Sequence, residues 1–104
     1  RLDWSRVPLI EGVRALAALG MVTGASGRNW ASYGTDVVLA AHLDATEQAL
    51  LCDPQTSGGL LVTCAPQAVD QVLAIFARRG FAQAAEIGEV LALEQGAAAH
   101  LRVG

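Results

Sequence analysis

The sequence of 104 residues predicts one α+β domain, residues 1–104, with a mixed or antiparallel sheet flanked by helices. Three observations favour this class. In some segments apolar residues recur at helical spacing. In others they alternate with polar residues or form short continuous runs, as is typical of strands. Two strand patterns follow one another near the C-terminal end without a helix between them, which favours an antiparallel pair. A chain of this length can bury a core, so we expect a radius of gyration of about 13 Å.

The N-terminal part of the chain predicts a helix over residues 9–19 and a loop over residues 23–35. The first eight residues are interpreted as an incoming connection. The helix has one apolar stripe, formed by Leu9, Val13, Leu16 and Ala17. Gly20 suits its end because glycine readily adopts the left-handed cap conformation. The second segment is rich in Gly, Ser, Thr and Asn, a composition typical of loops.

The middle of the chain predicts a short strand, a short helix and a second loop. Residues 36–41 predict a short strand or an extended run, and residues 45–51 predict a helix that begins with a capping-box pattern. In that pattern the Asp44 carboxylate accepts a backbone hydrogen bond at the helix start, and the Glu47 carboxylate reaches back to it. Residues 53–59 then form a polar loop that contains two glycines.

The C-terminal part predicts two strands around a helix, followed by a closing strand. Residues 60–64 form an apolar run that predicts a buried strand, and residues 66–80 predict a helix with proline at its start and glycine at its end. Residues 84–93 predict a long strand with a bulge at Gly88. Alternating apolar and polar residues at 99–103 predict a hairpin partner for it.

Composition and charge exclude several classes of function. The net charge is −3 and all seven basic residues are arginines, so no basic face for nucleic acid is expected. No apolar run reaches the length of about 18 to 20 residues that a membrane span needs. The two cysteines, Cys52 and Cys64, lack metal-ligand spacing, and we interpret them as small buried apolar side chains, with a disulfide or a reactive thiol as alternatives. A reducing cytoplasmic compartment fits this cysteine content best.

Residues 21–27 include a T-G-A-S-G run that, taken alone, is similar to a dinucleotide-binding loop. Such a loop must follow a full strand and lead into a helix whose N-terminus faces the pyrophosphate. Here a predicted helix precedes the run, and Arg28 stands where a further glycine would be needed. We therefore reject the dinucleotide interpretation.

The loop at residues 53–59 contains more than a simple turn requires. Asp53 precedes a proline and so avoids the helical region. Gly58 and Gly59 allow positive φ angles and close backbone approach, while Thr56 and Ser57 add two hydroxyl groups. These groups could bind an anion or another protein segment, although no helix N-terminus points at them. From the residues alone, a structural turn and a ligand contact both remain open.

Residues 50–61, L-L-C-D-P-Q-T-S-G-G-L-L, closely resemble a signature of the selenophosphate synthetase family. Two other stretches are similar to segments of that family in the same order along the chain. The upstream stretch contributes Gly24, Arg28, Asn29, Ser32, Tyr33 and Gly34. The downstream stretch contributes Ala85, Ile87, Gly88, Glu89 and Val90.

The resemblance implies an enzyme that uses ATP, selenide and water to make selenophosphate, AMP and phosphate. The family is similar to aminoimidazole ribonucleotide synthetase. Its N-terminal half binds Mg-ATP and dimerises, and its C-terminal half is an α+β domain of partial ferredoxin-like topology. The chain is therefore expected to be part of the C-terminal domain of a longer enzyme. A first residue other than methionine and the absence of lysine agree with this expectation.

The resemblance assigns no catalytic residue, metal ligand or ATP ligand to this chain. The family's catalytic cysteine or selenocysteine, its partner lysine and its Mg-ATP aspartates lie upstream of the matched region. Phosphoryl transfer needs cations and Mg²⁺ ligands around the phosphates, and this chain has no lysine and no acidic cluster. Glu86 and Glu89 are interpreted as a solvated face. ATP and Mg²⁺ are thus expected in the parent enzyme, and no bound cofactor is expected here.

The predicted role is to support the active-site cleft, either by contacting the N-terminal half of the enzyme or by lining a path for substrate. The parent is expected to be a cytoplasmic homodimer that binds selenide and ATP, with no nucleic acid or membrane partner. The alternative is a stand-alone binding or dimerisation module without catalysis. The first candidate residues are Asp53, Thr56, Ser57, Gly58 and Gly59. Arg28 and Asn29 come second.

Overall fold

The computed structural model describes residues 1–93 and 95–104. Within these ranges the elements are helices α1 (Val13–Ala18), α2 (Gly24–Tyr33), α3 (Ala45–Leu51) and α4 (Val69–Arg78), and strands β1 (Val37–Leu39) and β2 (Leu101–Val103). Short 3₁₀ turns lie at Trp4–Arg6, Gly34–Asp36 and Pro66–Ala68. The described residues therefore form an α+β fold, as the sequence predicts.

Elements with strong local signals lie where the sequence predicts them. Helix α3 has the predicted bounds, and the Asp44 carboxylate accepts from the Thr46 amide at 2.7 Å while Glu47 accepts from the Asp44 amide at 3.3 Å. Helix α4 ends before Gly80, which has a φ of 89°. Helix α1 starts later than predicted because Gly12 has a φ of 80° and is not helical.

The predicted loop at 23–35 is wrong, since most of it forms helix α2. The Thr23 hydroxyl accepts a hydrogen bond from the Ser26 amide at 3.3 Å, which caps the helix start. Residues with hydroxyl side chains are common at helix N-caps as well as in loops. Composition alone therefore could not distinguish a helix start from a loop here. The buried Ser26 also bonds to the Thr23 hydroxyl at 3.2 Å.

The predicted C-terminal hairpin is also wrong. Strand β2 pairs in parallel with β1, and Leu39 lies opposite Val103. The N-terminal segment, predicted only as a connection, lies on the other side of β2, where Leu2 forms a parallel bridge with Val103 and an antiparallel bridge with Gly88. The Leu2 amide donates to the Arg102 carbonyl at 2.7 Å. Periodicity indicates that a segment is extended, but it does not identify the partner strand.

Two predicted strands do not form ladders in the described structure. Residues 60–64 form no strand and are exposed, with 81% of Leu60 and 77% of Leu61 accessible, so the prediction of a buried strand is wrong here. In the predicted strand at 84–93, Gly88 forms an isolated bridge, and Glu94 beyond it lies outside the described residues. An apolar run becomes a buried strand only where another surface covers it.

The buried core is smaller than the length of the chain predicts. Among the described residues, the buried hydrophobic side chains are Trp4, Ala17 and Val103. The accessible surface is 8025 Å², whereas a compact protein of 10.8 kDa exposes roughly 5,500 Å². The radius of gyration is 15.1 Å rather than the expected value of about 13 Å. Much apolar surface is thus left without a packing partner.

Helix α3 is held at its start by a contact network that crosses the fold. The Arg14 guanidinium lies over the ring of buried Trp4, 5.5 Å from its centroid, and forms an ion pair with Glu47. The other Glu47 oxygen accepts from the Asp44 amide. Because these contacts link the N-terminal segment, α1 and α3, they fix the position from which the polar loop leaves.

We expect acid to weaken the start of helix α3. A hydrogen bond with the Glu47 side chain, together with the Thr46 amide, holds the pKa of Asp44 below its ordinary value. A lowered pKa stabilises the fold above the unfolded-state value and ceases to do so as the pH falls through the folded-state value. Helical content should therefore be constant between about pH 7 and pH 5 and should decrease below about pH 4.

Far-UV circular dichroism over that range would measure the change. The matched variant is Asp44→Asn, which keeps a good helix-capping side chain but cannot titrate. Its acid transition should be smaller than that of the parent chain. An equal acid transition in the two proteins would contradict the assignment to Asp44.

Candidate functional site

The candidate loop at residues 53–59 leaves the C-terminal end of α3, and all seven residues are exposed. The Asp53 amide donates to the Leu50 carbonyl at 3.3 Å, which continues the last helical turn by one residue. In the part of the chain that the structure describes, the side chains of Asp53, Thr56 and Ser57 make no hydrogen bond. Their polar atoms are therefore available to bind another group.

The two glycines of this loop, Gly58 and Gly59, do not use the positive φ angles that glycine allows. In the described residues, positive values lie at Gly12, Gly20, Gly80 and Gly96. A Cβ atom added at Gly58 or Gly59 would meet nothing within 4 Å. Neither backbone conformation nor local crowding requires glycine at these two positions.

The second-ranked candidates lie on α2 and differ in their contacts. The Asn29 side-chain amide donates to the Cys52 carbonyl at 2.9 Å, directly before the loop. Arg28 is exposed, and its guanidinium lies alongside Gly24 of its own helix. The structure therefore brings Asn29, but not Arg28, to the base of the candidate loop.

The two cysteines are unpaired, and they lie in different environments. Cys52 is half-buried, and burial raises the pKa of its thiol because it disfavours the charged thiolate. Cys64 is exposed, so the prediction of burial is wrong for this residue. Since the thiolate is the nucleophilic form, the environment of Cys52 is not that of an activated catalytic cysteine.

Glu86 and Glu89, interpreted from the sequence as a solvated face, are exposed, and each forms an ion pair. Glu86 pairs with Arg6 at 3.3 Å, and Glu89 pairs with Arg1. These half-exposed pairs join the N-terminal segment to the chain around Gly88. Within residues 1–93 and 95–104, no three His, Cys, Asp or Glu side chains are grouped so that they could hold a metal ion.

Two contacts that position the loop were not predicted from the sequence. Arg14 and Glu47 are far apart in the chain, and the capping-box pattern accounted for only one of the two roles of Glu47. The bond from Asn29 to Cys52 likewise joins two helices that periodicity treats separately. Neither pair carries a local sequence signal.

The fold and site define a small α+β domain with an exposed polar loop suited to binding through hydroxyl and backbone groups. No helix of the described residues is long and apolar enough to cross a membrane. The chain belongs to the family described as the C-terminal domain of AIR synthase related proteins, whose model matches residues 15–100.

Curated relatives make the resemblance more specific. The chain is 60% identical over 91 residues to a protein of Burkholderia ambifaria (strain MC40-6) named selenide, water dikinase, an alignment that covers 88% of this chain and 26% of the relative. A protein of the same name from Pseudomonas straminea is 58% identical over 86% of this chain and 25% of the relative. Another, from Rhizobium meliloti (strain 1021), is 46% identical over 88% of this chain and 26% of the relative. The predicted resemblance to the C-terminal portion of this enzyme is confirmed. The chain spans about a quarter of the length of these relatives.

Proposed function

We propose that this chain is part of a selenide, water dikinase, an ATP-dependent phosphotransferase that makes selenophosphate from ATP, selenide and water. The observation that carries the proposal is identity of 46% to 60% with proteins of that name over most of the chain. In this proposal the chain supports the active-site cleft, and residues upstream of it supply catalysis and bind Mg-ATP. The chain alone is inactive.

The loop at 53–59 is the proposed functional surface. Its hydroxyl groups are exposed, and neither the backbone conformation nor crowding within this chain requires glycine at its two glycine positions. A glycine pair of this kind is useful where another backbone or a ligand approaches closely. We therefore propose that the loop contacts the N-terminal half of the enzyme or lines a path for substrate.

The extent of the exposed surface supports the proposal that a large protein partner covers it. The chain exposes roughly 2,500 Å² more than a compact protein of its mass. Burial on this scale is typical of permanent interfaces rather than transient ones. The exposed apolar side chains include Leu60, Leu61, Val90, Leu91 and Leu93. The proposed partner is the N-terminal half of the same enzyme, in a homodimer.

The proposed cofactors are ATP and Mg²⁺, both bound outside this chain. Binding and transfer of phosphate need clustered cations and metal ligands, and the charged side chains around Gly88 are paired with each other. The proposed location is the cytoplasm, where unpaired cysteines such as Cys52 and Cys64 remain reduced.

The experiment that tests the function uses the full-length protein that contains this segment. With ATP, selenide and Mg²⁺ we expect selenophosphate, AMP and phosphate, measured by phosphorus NMR, and no product from residues 1–104 alone. Selenophosphate formed by the short chain would contradict the supporting role. A natural protein of this short length that associates with itself and has no dikinase activity would favour the binding-module alternative.

A further inference from the structure

Helix α3 ends differently from helices α1 and α4. Helices α1 and α4 are followed by Gly20 and Gly80, whose φ angles are 80° and 89°. In both, the residue after the glycine donates its amide to the carbonyl five residues earlier at 3.0 Å. This left-handed glycine cap ends a helix by its own backbone. At the end of α3, Cys52 has φ and ψ angles of −103° and 6°, and no glycine follows until Gly58.

A side chain from α2 provides the missing cap. The last carbonyls of any helix lack partners within the helix, and the Cys52 carbonyl accepts from the Asn29 side-chain amide at 2.9 Å. Asn29 lies in the interior of α2, where asparagine is poorly suited because its side chain competes for backbone hydrogen bonds. Its half-buried amide is directed across to α3 instead.

This contact lies at the point where the candidate loop begins. The start of α3 is held by the ion pair between Arg14 and Glu47 and by the capping box. Its end is held by Asn29. Beyond the Asp53 amide, which bonds to Leu50, residues 54–59 make no hydrogen bond to another element of the described structure. The direction in which the loop leaves α3 is therefore set largely at Cys52.

We infer that Asn29 is a positioning residue for the loop at 53–59, acting through the Cys52 carbonyl rather than through contact with substrate. The inference deepens the proposed function and rests on it only where it concerns enzyme activity. The geometric part, that Asn29 fixes the end of α3, stands on the contacts of this chain alone.

The first test measures how accessible Cys52, at the end of α3, is to labelling and amide exchange in the full-length protein carrying Asn29→Asp. Aspartate has nearly the shape of asparagine but offers no N–H donor when ionised, and its carboxylate repels the carbonyl. We expect iodoacetamide to label half-buried Cys52 about five-fold faster, as loss of one hydrogen bond predicts. Amide exchange at Cys52 and Asp53 should accelerate similarly. Cys64 is the internal reference, and its labelling rate should stay constant.

The second test measures turnover in the same variant. We expect kcat to fall about five-fold while the KM for ATP is unchanged, because the proposed Mg-ATP residues lie outside this chain. The matched control is Gln71→Ala, which removes an exposed amide from the first turn of α4 and should change neither labelling nor kcat. A loss of packing alone would lower the thermal unfolding temperature, but it would not lower kcat selectively while leaving the KM for ATP unchanged.

Two outcomes overturn the inference. Unchanged labelling and exchange at Cys52 in folded Asn29→Asp and Asn29→Ala would show that Asn29 does not hold the end of α3. Failure of both variants to fold would show that Asn29 maintains the fold rather than the loop. A wild-type protein that forms no selenophosphate would instead contradict the proposed function, and the labelling result would still decide the role of Asn29.

Discussion

Replacing Gly88 with alanine is expected to lower the free energy of unfolding by about 3 kcal/mol, at the upper end for overpacking. An alanine Cβ at this position would overlap the Arg1 carbonyl oxygen and would lie 2.9 Å from the Leu2 Cα atom. Both neighbours are backbone atoms, so no side-chain rotation can relieve the contact. The N-terminal segment must move away from residue 88 instead.

That movement would disrupt the centre of the small sheet. The N-terminal segment is bonded on one side to β2 through Leu2 and on the other to the chain around Gly88, where the Glu89 amide donates to the Arg1 carbonyl at 2.9 Å. Trp4, which belongs to the small buried core, follows directly. Displacing the segment therefore weakens backbone pairing and core packing together.

Urea unfolding followed by tryptophan fluorescence would measure the effect. The matched control is Gly27→Ala, because Gly27 lies inside α2 and an added Cβ there meets nothing within 4 Å. That substitution should stabilise the chain by about 0.5 to 1 kcal/mol, because alanine is the better helix former. If Gly88→Ala were as stable as the parent chain, the N-terminal segment would not lie against residue 88.

Local chemistry decided which parts of the fold could be predicted. Helix α3 was predicted correctly because Asp44 and Glu47 form the capping box within one turn. The end of α4 was predicted because Gly80 takes the left-handed conformation there. Helix α2 was missed because Thr23 serves as a helix cap, whereas composition suggested a loop. These three results depend on residues no more than a few positions apart.

Pairing across the chain could not be predicted in the same way. Strand β2 has an alternating pattern that fits a hairpin, yet Leu101 lies opposite Val37 in a parallel pair. Residues 60–64 are apolar enough for a buried strand but have no covering surface in this chain. The position of the candidate loop followed from its residues and the family resemblance. The contact between Asn29 and Cys52 required the three-dimensional arrangement of α2 and α3.

The largest expected effect on activity concerns the hydroxyl groups of the loop. In the full-length enzyme, the double substitution Thr56→Ala and Ser57→Ala should lower kcat/KM by about ten- to a hundred-fold, as loss of two hydrogen bonds at a functional surface predicts. The same substitutions should change the free energy of unfolding by no more than about 0.5 kcal/mol, because both side chains are exposed and make no hydrogen bond within the described chain.

Steady-state kinetics and thermal unfolding of the same preparations would separate these two effects. The matched control is Thr35→Ala, which removes an exposed hydroxyl group away from the loop and should leave both quantities unchanged. If the loop lines a path for substrate, the KM for selenide should rise. If it contacts the N-terminal half, kcat should fall with that KM unchanged, because the cleft would be assembled in the wrong geometry. Unchanged turnover in the double variant would show that the hydroxyl groups of Thr56 and Ser57 serve neither role.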